Sequence, residues 1–342
     1  MSHPSRRDIA IGAAAAAFAA PARAQTAGGG DALIAAAKRE GKVVVYSGYL
    51  SAITHDPIAK LFDAKYGIKI EVLAARGNEL RERIRIEQQT GRYLGDVQHN
   101  ASSLTTLWRD ADHNIDPLGG LPNVARLKPE YAARADADQA PIFTIMYGFL
   151  VNNALVPPGQ EPKRWTDLLD AKWAGKILFD DPRAPGGGRV MFQQTLDKYG
   201  RGFHEALAKL KPSMSRDYGE AVRRIARGEF AVYVPLIFSQ SALVKGLPVR
   251  DVVPADGVIA SSYSVSLLKN APHPNAARLL ADFYLSDEVQ EIYARTAHGT
   301  VVDVKVSDPP PEIAKLANVK PLMPEDNTRI DEYLALAKEI YL

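Results

Sequence analysis

The chain has 342 residues, 46% of them apolar, with 42 basic and 40 acidic side chains spread along its length and no cysteine. That length exceeds what one hydrophobic core usually organises, so two lobes are expected, and the composition is that of a globular and not a disordered protein. The lack of cysteine excludes disulfides, thiolate metal sites and cysteine nucleophiles together.

The opening stretch MSHPSRRDIAIGAAAAAFAAPARAQ reads as an export signal over residues 1–24. It has a basic start, an uncharged run from Ile9 to Ala20 and a small-residue cleavage site at Ala22-Arg23-Ala24. The Arg6-Arg7 pair after Ser5 suits twin-arginine export, with ordinary secretion as the alternative; either route leads to the periplasm. Removing the signal takes away three arginines and one aspartate, leaving 39 basic and 39 acidic residues. A balanced chain offers no concentrated basic surface for nucleic acid. No later run reaches the roughly 18 uninterrupted apolar residues needed to span a bilayer.

After a short Gly-rich leader, DALIAAAKREG predicts a helix closed by Gly41, and Val43 to Tyr46 a buried strand. ITHDPIAKLFDAKYG predicts a helix with Ile58, Leu61, Phe62 and Tyr66 on one face and Pro57 in its first turn. IKIEVLAA alternates as a strand, NELRERIRIEQQTG is a charged helix, GDVQHN a short strand and SSLTTLWRDAD a helix. This strand–helix alternation predicts a parallel sheet covered by helices. Further on, IFTIMYGFLVNN predicts a pair of apolar strands, WTDLLDAKWAG a short helix and KILFDDP a strand. RAPGGGR then forms a glycine loop before the helix VMFQQTLDKYG. YGEAVRRIARGEF reads as a helix, AVYVPLIF as a strand and VIASSYSVSLLKNA as a long strand. PNAARLLADFYLS and DEVQEIYARTAHG are helices, the second capped by Ser286. The connector DPPPEIAKL precedes a last helix, DEYLALAKEIYL.

Polar residues gather where strands stop and helices start: Ser47 to Ser51, His99 to Ser103, Arg183 to Arg189, and Ser239. In open α/β sheets ligands sit beyond the carboxyl ends of the strands, so these loops are expected to converge on one crevice. The seven histidines show no metal-binding spacing. Ser266 and Lys269 match an SxxK pattern, but they lie in a strand that would point them to opposite faces, which argues against an exported hydrolase.

The segments GKVVVYSG, YGIKIEVL, GDVQHNASSLTTL and VNNALVPPGQEPKRWTDLLDAKWAGKILFDDPRAPGGG, with VSLLKNAPHPNAARLLADFYLSDEVQEIYA, resemble the extracellular solute-binding proteins of ABC importers. The branch resembled is the one that contains ferric-ion, phosphorylated-sugar and phosphonate binders. The resemblance implies an α/β, two-lobe periplasmic binding protein of type II-like architecture, each lobe a mostly parallel sheet flanked by helices. It places lobe 1 at residues 25–135 and 255–305 and lobe 2 at 136–254, with 306–342 a C-terminal helical segment packing across the lobes. It further implies a monomer that delivers a small ligand to a membrane permease driven by an ATPase, with no cofactor and no catalysis; a sensor-partner role uses the same fold.

At the positions that resemble the ferric binders' ligands stand Leu50, Ala101 and Leu236-Ile237-Phe238, none of which supplies an anionic oxygen or an imidazole. A bare ferric ion wants oxygen ligands. The glycine-rich helix start that seats an anion in those relatives is kept. The expected ligand is therefore a small anion, an organophosphate, phosphonate or carboxylate, with iron or an iron chelate as the alternative. Backbone N–H groups at Gly187 and Gly188 form the expected seat, with Arg183 or Arg189 supplying a charged fork. Ser47, Asn100 and Ser102 are placed in the facing loops, where the two serines either donate to the ligand or cap helices. Tyr49, Tyr218 and Tyr263 either line the cleft or pack in the core.

Overall fold

The computed structural model describes residues 30–49, 52–133, 135–317, 319–326 and 328–342. The predicted export signal and Leu50 lie outside the described residues. Along the chain come α1 (Gly30–Glu40), β1 (Lys42–Ser47), α2 (Ala52–Tyr66), β2 (Lys69–Ala74), α3 (Gly77–Thr90), β3 (Val97–Ala101) and α4 (Ser102–Asp110). The two-residue β4 (Ile115–Asp116) and short α5 (Pro129–Ala132) lead into β5 (Ala140–Asn152). Next are β6 (Ile177–Asp180), α6 (Gly187–Tyr199), α7 (Arg201–Lys209), β7 (Ser213–Ser215), α8 (Tyr218–Ala226), β8 (Val232–Ile237), β9 (Val249–Val252) and β10 (Ile259–Leu268). The last helices are α9 (Pro274–Phe283), α10 (Asp287–Arg295), short α11 (Pro311–Ala314) and α12 (Ile330–Ile340).

Strand order explains the two lobes. The main path through the sheet runs β2-β1-β3-β10-β5-β8-β6-β7, with β4 beside β10 and β9 beside β5. The triplets β2-β1-β3 and β8-β6-β7 are each parallel, as crossover helices require. Between them lies the antiparallel pair β10 and β5. β5 is the strand that passes from one lobe to the other. Ala140 to Tyr147 pairs with β10, and Tyr147 to Asn152 with β8 and β9. All 13 of its residues are buried, which is why its sequence is an almost unbroken apolar run without alternation.

Three local readings are corrected. The predicted pair of strands at residues 142–153 is the single strand β5, because no turn interrupts it. WTDLLDAKWAG is not one helix but two 3-10 turns, Trp165–Leu169 and Ala171–Trp173. Trp165 is fully buried, donating Nε1–H to the Gly257 carbonyl at 2.8 Å and standing edge-on to Phe149 at 4.7 Å, so tertiary anchoring fixes this segment. Pro57 sits inside α2, beyond its first turn.

α12 packs on α6 and α7 of the second lobe. Tyr333 donates to Asp197 at 3.3 Å, and the Tyr341 hydroxyl meets His204 Nδ1 at 2.8 Å. The segment before α12 reaches the crossover strands: Pro321 bridges to Val258, and Glu325 bonds to Ser261 and Ser262. These contacts bring a residue distant in sequence to the junction of the lobes.

Candidate functional site

The loops at the carboxyl ends of β1, β3, β6 and β8 converge beside β5 and β10. After β1 the chain turns through Ser47, Gly48 and Tyr49. A β-carbon on Gly48 would lie 1.9 Å from Asn100 Oδ1, so only glycine lets this turn press against the end of β3. The Tyr49 hydroxyl donates to Ser239 Oγ at 3.3 Å and shares a 2.6 Å bond with His298 Nε2. Ser239 follows β8 in the second lobe, so this contact joins the two lobes across the crevice. Tyr263 stands edge-on to Tyr49 at 5.6 Å and is stacked on Phe143 at 5.1 Å. Phe143, Tyr147 and Tyr263 alternate onto one face of the β5–β10 pair, as period-two geometry demands.

At the other side lies the glycine loop. Gly187 and Gly188 open α6, as expected, but the Gly188 amide already has an acceptor: Asp180 Oδ2, at 2.6 Å. A β-carbon on Gly188 would lie 2.0 Å from the Asp180 carbonyl oxygen, so the helix start is pressed against the end of β6. Burial pushes the Asp180 carboxyl up to about 6, against the Gly188 amide, with neighbouring Asp181 adding to the rise. Among the described residues Asp180 has no cationic partner. Asp181, in contrast, is held by Arg183 at 2.8 Å and by Arg216 at 2.9 Å.

Arg189, in the first turn of α6, is 5% exposed. Its Nη2 lies 3.6 Å from Glu325 Oε1, and its Nη1 is buried without a hydrogen-bond partner. Glu325 also accepts from Ser261 Oγ at 3.1 Å and from the Ser262 amide at 2.8 Å. The Tyr147 ring lies 3.0 Å from where a Gly187 β-carbon would stand. Its hydroxyl pKa is raised by burial, then by Tyr263 and the Glu325 and Asp180 carboxylates, and lowered by Arg189. One corner of the cleft thus holds a guanidinium, two carboxylates and a phenol.

Several of the expected contact residues already have protein partners. Ser47 is fully buried, and its hydroxyl holds the turn through Tyr49 O at 2.9 Å and His55 Nε2 at 3.1 Å. Asn100 is 1% exposed and donates to Gln98. Ser102 bonds Ser264 Oγ at 2.6 Å and the Ser262 carbonyl at 3.1 Å, stapling the start of α4 to β10. Arg183 is spent on Asp181 and on the Tyr341 carbonyl at 2.9 Å, so of the two arginines it is Arg189 that turns into the interior. Tyr218 donates to the Ile237 carbonyl at 3.4 Å and, half-buried, packs edge-on to Tyr233 at 5.9 Å against the apolar cluster around Tyr233 and Leu236. Tyr49, Gly187, Gly188, Arg189 and Tyr263 are brought to the crevice.

Sequence reasoning missed Asp180, Tyr147, His298 and Glu325. Asp180 carried a signal, an acid directly before DPRAPGGG, and Tyr147 another, a phenol inside an apolar strand. Glu325 carried none, since only the return of the C-terminal segment places it here. His55, His99 and His298 are all buried beside Tyr49; burial lowers each pKa, that of His298 to about 3. Among the described residues no group of three or more His, Cys, Asp or Glu is arranged to hold a metal.

This geometry defines a class: a two-lobed α/β binding protein with its cleft at the strand ends and two crossover strands between the lobes. The family model for bacterial extracellular solute-binding proteins matches residues 120–320, and the chain belongs to that family. Such proteins are periplasmic, bind small solutes and serve the permease and ATPase of ABC importers. An uncharacterised protein of Haemophilus influenzae is 26% identical over 279 residues, 77% of this chain and 78% of its own. A putative 2-aminoethylphosphonate-binding periplasmic protein of Salmonella typhimurium is 25% identical over 214 residues, 58% of this chain and 59% of its own. Iron-bound HitA from Pseudomonas aeruginosa shares the fold with a TM-score of 0.69 at 22% identity, over 88% of this chain and 99% of that one. AfuA from Actinobacillus pleuropneumoniae, with fructose-6-phosphate bound, gives 0.66 at 22% identity, over 87% and 97%.

Proposed function

We propose that this protein captures a small solute by its acidic group, an organophosphate, phosphonate or carboxylate, and hands it to an ABC permease. It acts as a monomeric carrier and performs no catalysis. The observation that carries this reading is Arg189: a guanidinium 5% exposed, with Nη1 lacking an acceptor, in the first turn of a 13-residue helix. A buried donor without an acceptor is costly, and an oxyanion would satisfy it while gaining from the helix dipole. The phosphonate named for the Salmonella relative and the sugar phosphate bound to AfuA support the same chemistry. Tyr49 and Tyr263, facing each other across the floor, would grip the rest of the solute.

Iron or an iron chelate is the second reading, favoured by the phenols of Tyr49, Tyr147 and Tyr263 near one another and by the iron in HitA. A thermal-shift screen of the purified mature protein over phosphonates, sugar phosphates, carboxylates and ferric citrate separates the two. Stabilisation by an acid without metal supports capture of an anion. A visible charge-transfer band with ferric citrate, and no stabilisation by any metal-free acid, refutes it.

A further inference from the structure

A cavity of about 270 Å³ lies behind the floor of the crevice. Phe143, Tyr147 and Tyr263 turn towards the crevice, and by the same alternation Met146, Val258 and Ala260 turn to the opposite face of the β5–β10 pair, where they form one wall of this space. Ile313, Leu316 and Val319, which pack on the apolar cluster of the second lobe, form another. Residues 298–300 close the side next to the first lobe, where Gly299 and Thr144 exchange two backbone hydrogen bonds of 2.9 Å.

Three charged side chains border the cavity: Lys128, Glu130 and Lys320. Lys128 is engaged, its Nζ donating to the Thr300 carbonyl at 2.9 Å and hydroxyl at 3.1 Å, with Asp303 at 3.9 Å. Lys320 is fixed through its backbone, since its carbonyl accepts from the Val258 amide at 3.0 Å. Among the described residues neither the Lys320 ammonium nor the Glu130 carboxylate has a hydrogen-bond or ion-pair partner, and the two do not pair with each other.

A free cation, a free carboxylate and apolar walls around one space select a guest with charges of both signs and an apolar body. A simple acid would set its carboxylate near that of Glu130 with nothing to offer it, and a simple amine would do the same to Lys320. A zwitterion meets both: its carboxylate accepts from Lys320, its ammonium donates to Glu130, and its apolar part rests on Met146, Val258 and Leu316. An apolar cavity of about 150 Å³ holds benzene, so this one has room for a side chain of that order together with an α-carbon and its two charged groups. We propose that the cavity is a second ligand site, separate from the crevice, that takes an α-amino acid with an apolar side chain. Glu130 and Lys320 are exposed, so each contributes only the two- to fivefold in affinity that is typical of surface ion pairs, to about that extent, and burial of the side chain supplies the rest.

The test is an NMR titration of the full mature protein, with methionine methyl groups as reporters, using leucine, 4-methylpentanoate and 3-methylbutylamine. The three share one apolar body and differ in which charged groups they carry. Leucine is expected to bind in roughly the millimolar range, shifting the Met146 methyl signal while those of Met191 in α6 and Met214 in β7 stay in place. At pH 7 it should bind about threefold more tightly than either analogue. Glu130→Met should erase the advantage over 4-methylpentanoate and leave that over the amine, and Lys320→Met should do the reverse; both positions are exposed, so the fold tolerates either change. No leucine-dependent shift at Met146, equal binding of leucine and either analogue, or an advantage that neither variant alters overturns the inference. None of these outcomes touches the anion reading of the crevice, which lies on the other face of the floor strands.

Discussion

Arg189 and Glu325 offer the sharpest test of how the crevice is built. Their side chains are 7% and 1% exposed, and the closest approach of their charged atoms is 3.6 Å. At that distance, with an effective dielectric constant of about 20, the attraction is about 4 to 5 kcal/mol, and stranding one member of a buried pair costs about 3 to 5 kcal/mol. Arg189→Met removes the cation and keeps most of the stem volume, leaving Glu325 held only by Ser261 and the Ser262 amide among the contacts described above. A loss of about 3 to 4 kcal/mol is expected, with a Tm lower by several degrees. Glu325→Gln on the Arg189→Met background should return about 2 kcal/mol of it, because no charge then remains unpaired. Urea unfolding followed by the fluorescence of Trp108, Trp165 and Trp173 gives the four corners of the cycle. If the two substitutions add to within about 0.5 kcal/mol, the residues do not act as a pair and the account of this corner is wrong.

Asp180→Asn is expected to raise stability at pH 7.5. The folded state holds the Asp180 carboxyl at about 6, above its value in the unfolded chain, so stability present at low pH is lost as pH rises towards 6. That loss is up to about 3 kcal/mol, and the gain in the variant over wild type should vanish below about pH 4; a constant difference from pH 4 to 8 contradicts it. The lowered His55, His99 and His298 act in the opposite sense, with stability complete above about pH 6.5 and lost as pH falls below it, so His298→Gln should flatten the acid side of the wild-type curve. Gly188→Ala drives a β-carbon to 2.0 Å from the Asp180 carbonyl oxygen and 2.6 Å from its carbon; a loss of about 3 kcal/mol or more is expected in chemical unfolding, and a neutral result would mean α6 starts elsewhere. Tyr49→Phe deletes the bonds to Ser239 and His298, costing about 1 to 2 kcal/mol. Its X-ray scattering profile should show a more open average shape than wild type, and an unchanged profile would deny Tyr49 a part in closing the lobes.

Much of the fold was legible because its signals are local. The β1 to α4 alternation followed from apolar period and glycine stops, and Gly91 does end α3 with a left-handed φ of 67°. What escaped notice was either too short for periodicity, as with β7 and β9, or set by distant partners. The 3-10 turns at Trp165 are held by the Gly257 carbonyl, 92 residues away, as well as by the local carboxylates of Asp167 and Asp170, and the distant contact is not written in the local sequence. The choice between Arg183 and Arg189 was undecidable for the same reason. Both flank one glycine loop, and only the packing of Tyr341 on one and Glu325 on the other separates them.

The serines already have protein partners for a related physical cause. A hydroxyl at the carboxyl end of a strand is also the nearest group able to satisfy the backbone of the turn that follows, and Ser47 does this local work, while Ser102 is engaged by Ser264 and the Ser262 carbonyl on β10. On the proposed reading, ligand contacts come from groups that the turn itself does not use. In this crevice those are long side chains entering from elsewhere, Arg189 from the helix and Tyr263 from a crossover strand, together with a backbone amide that its own carboxylate already holds. Before any solute arrives the corner carries one positive and up to two negative charges. On the proposed reading, capture of a simple anion there is helped by a proton on Asp180, whose carboxyl is pushed up to about 6 by burial, or on the solute, and the pH at which binding is strongest tells which of the two supplies it.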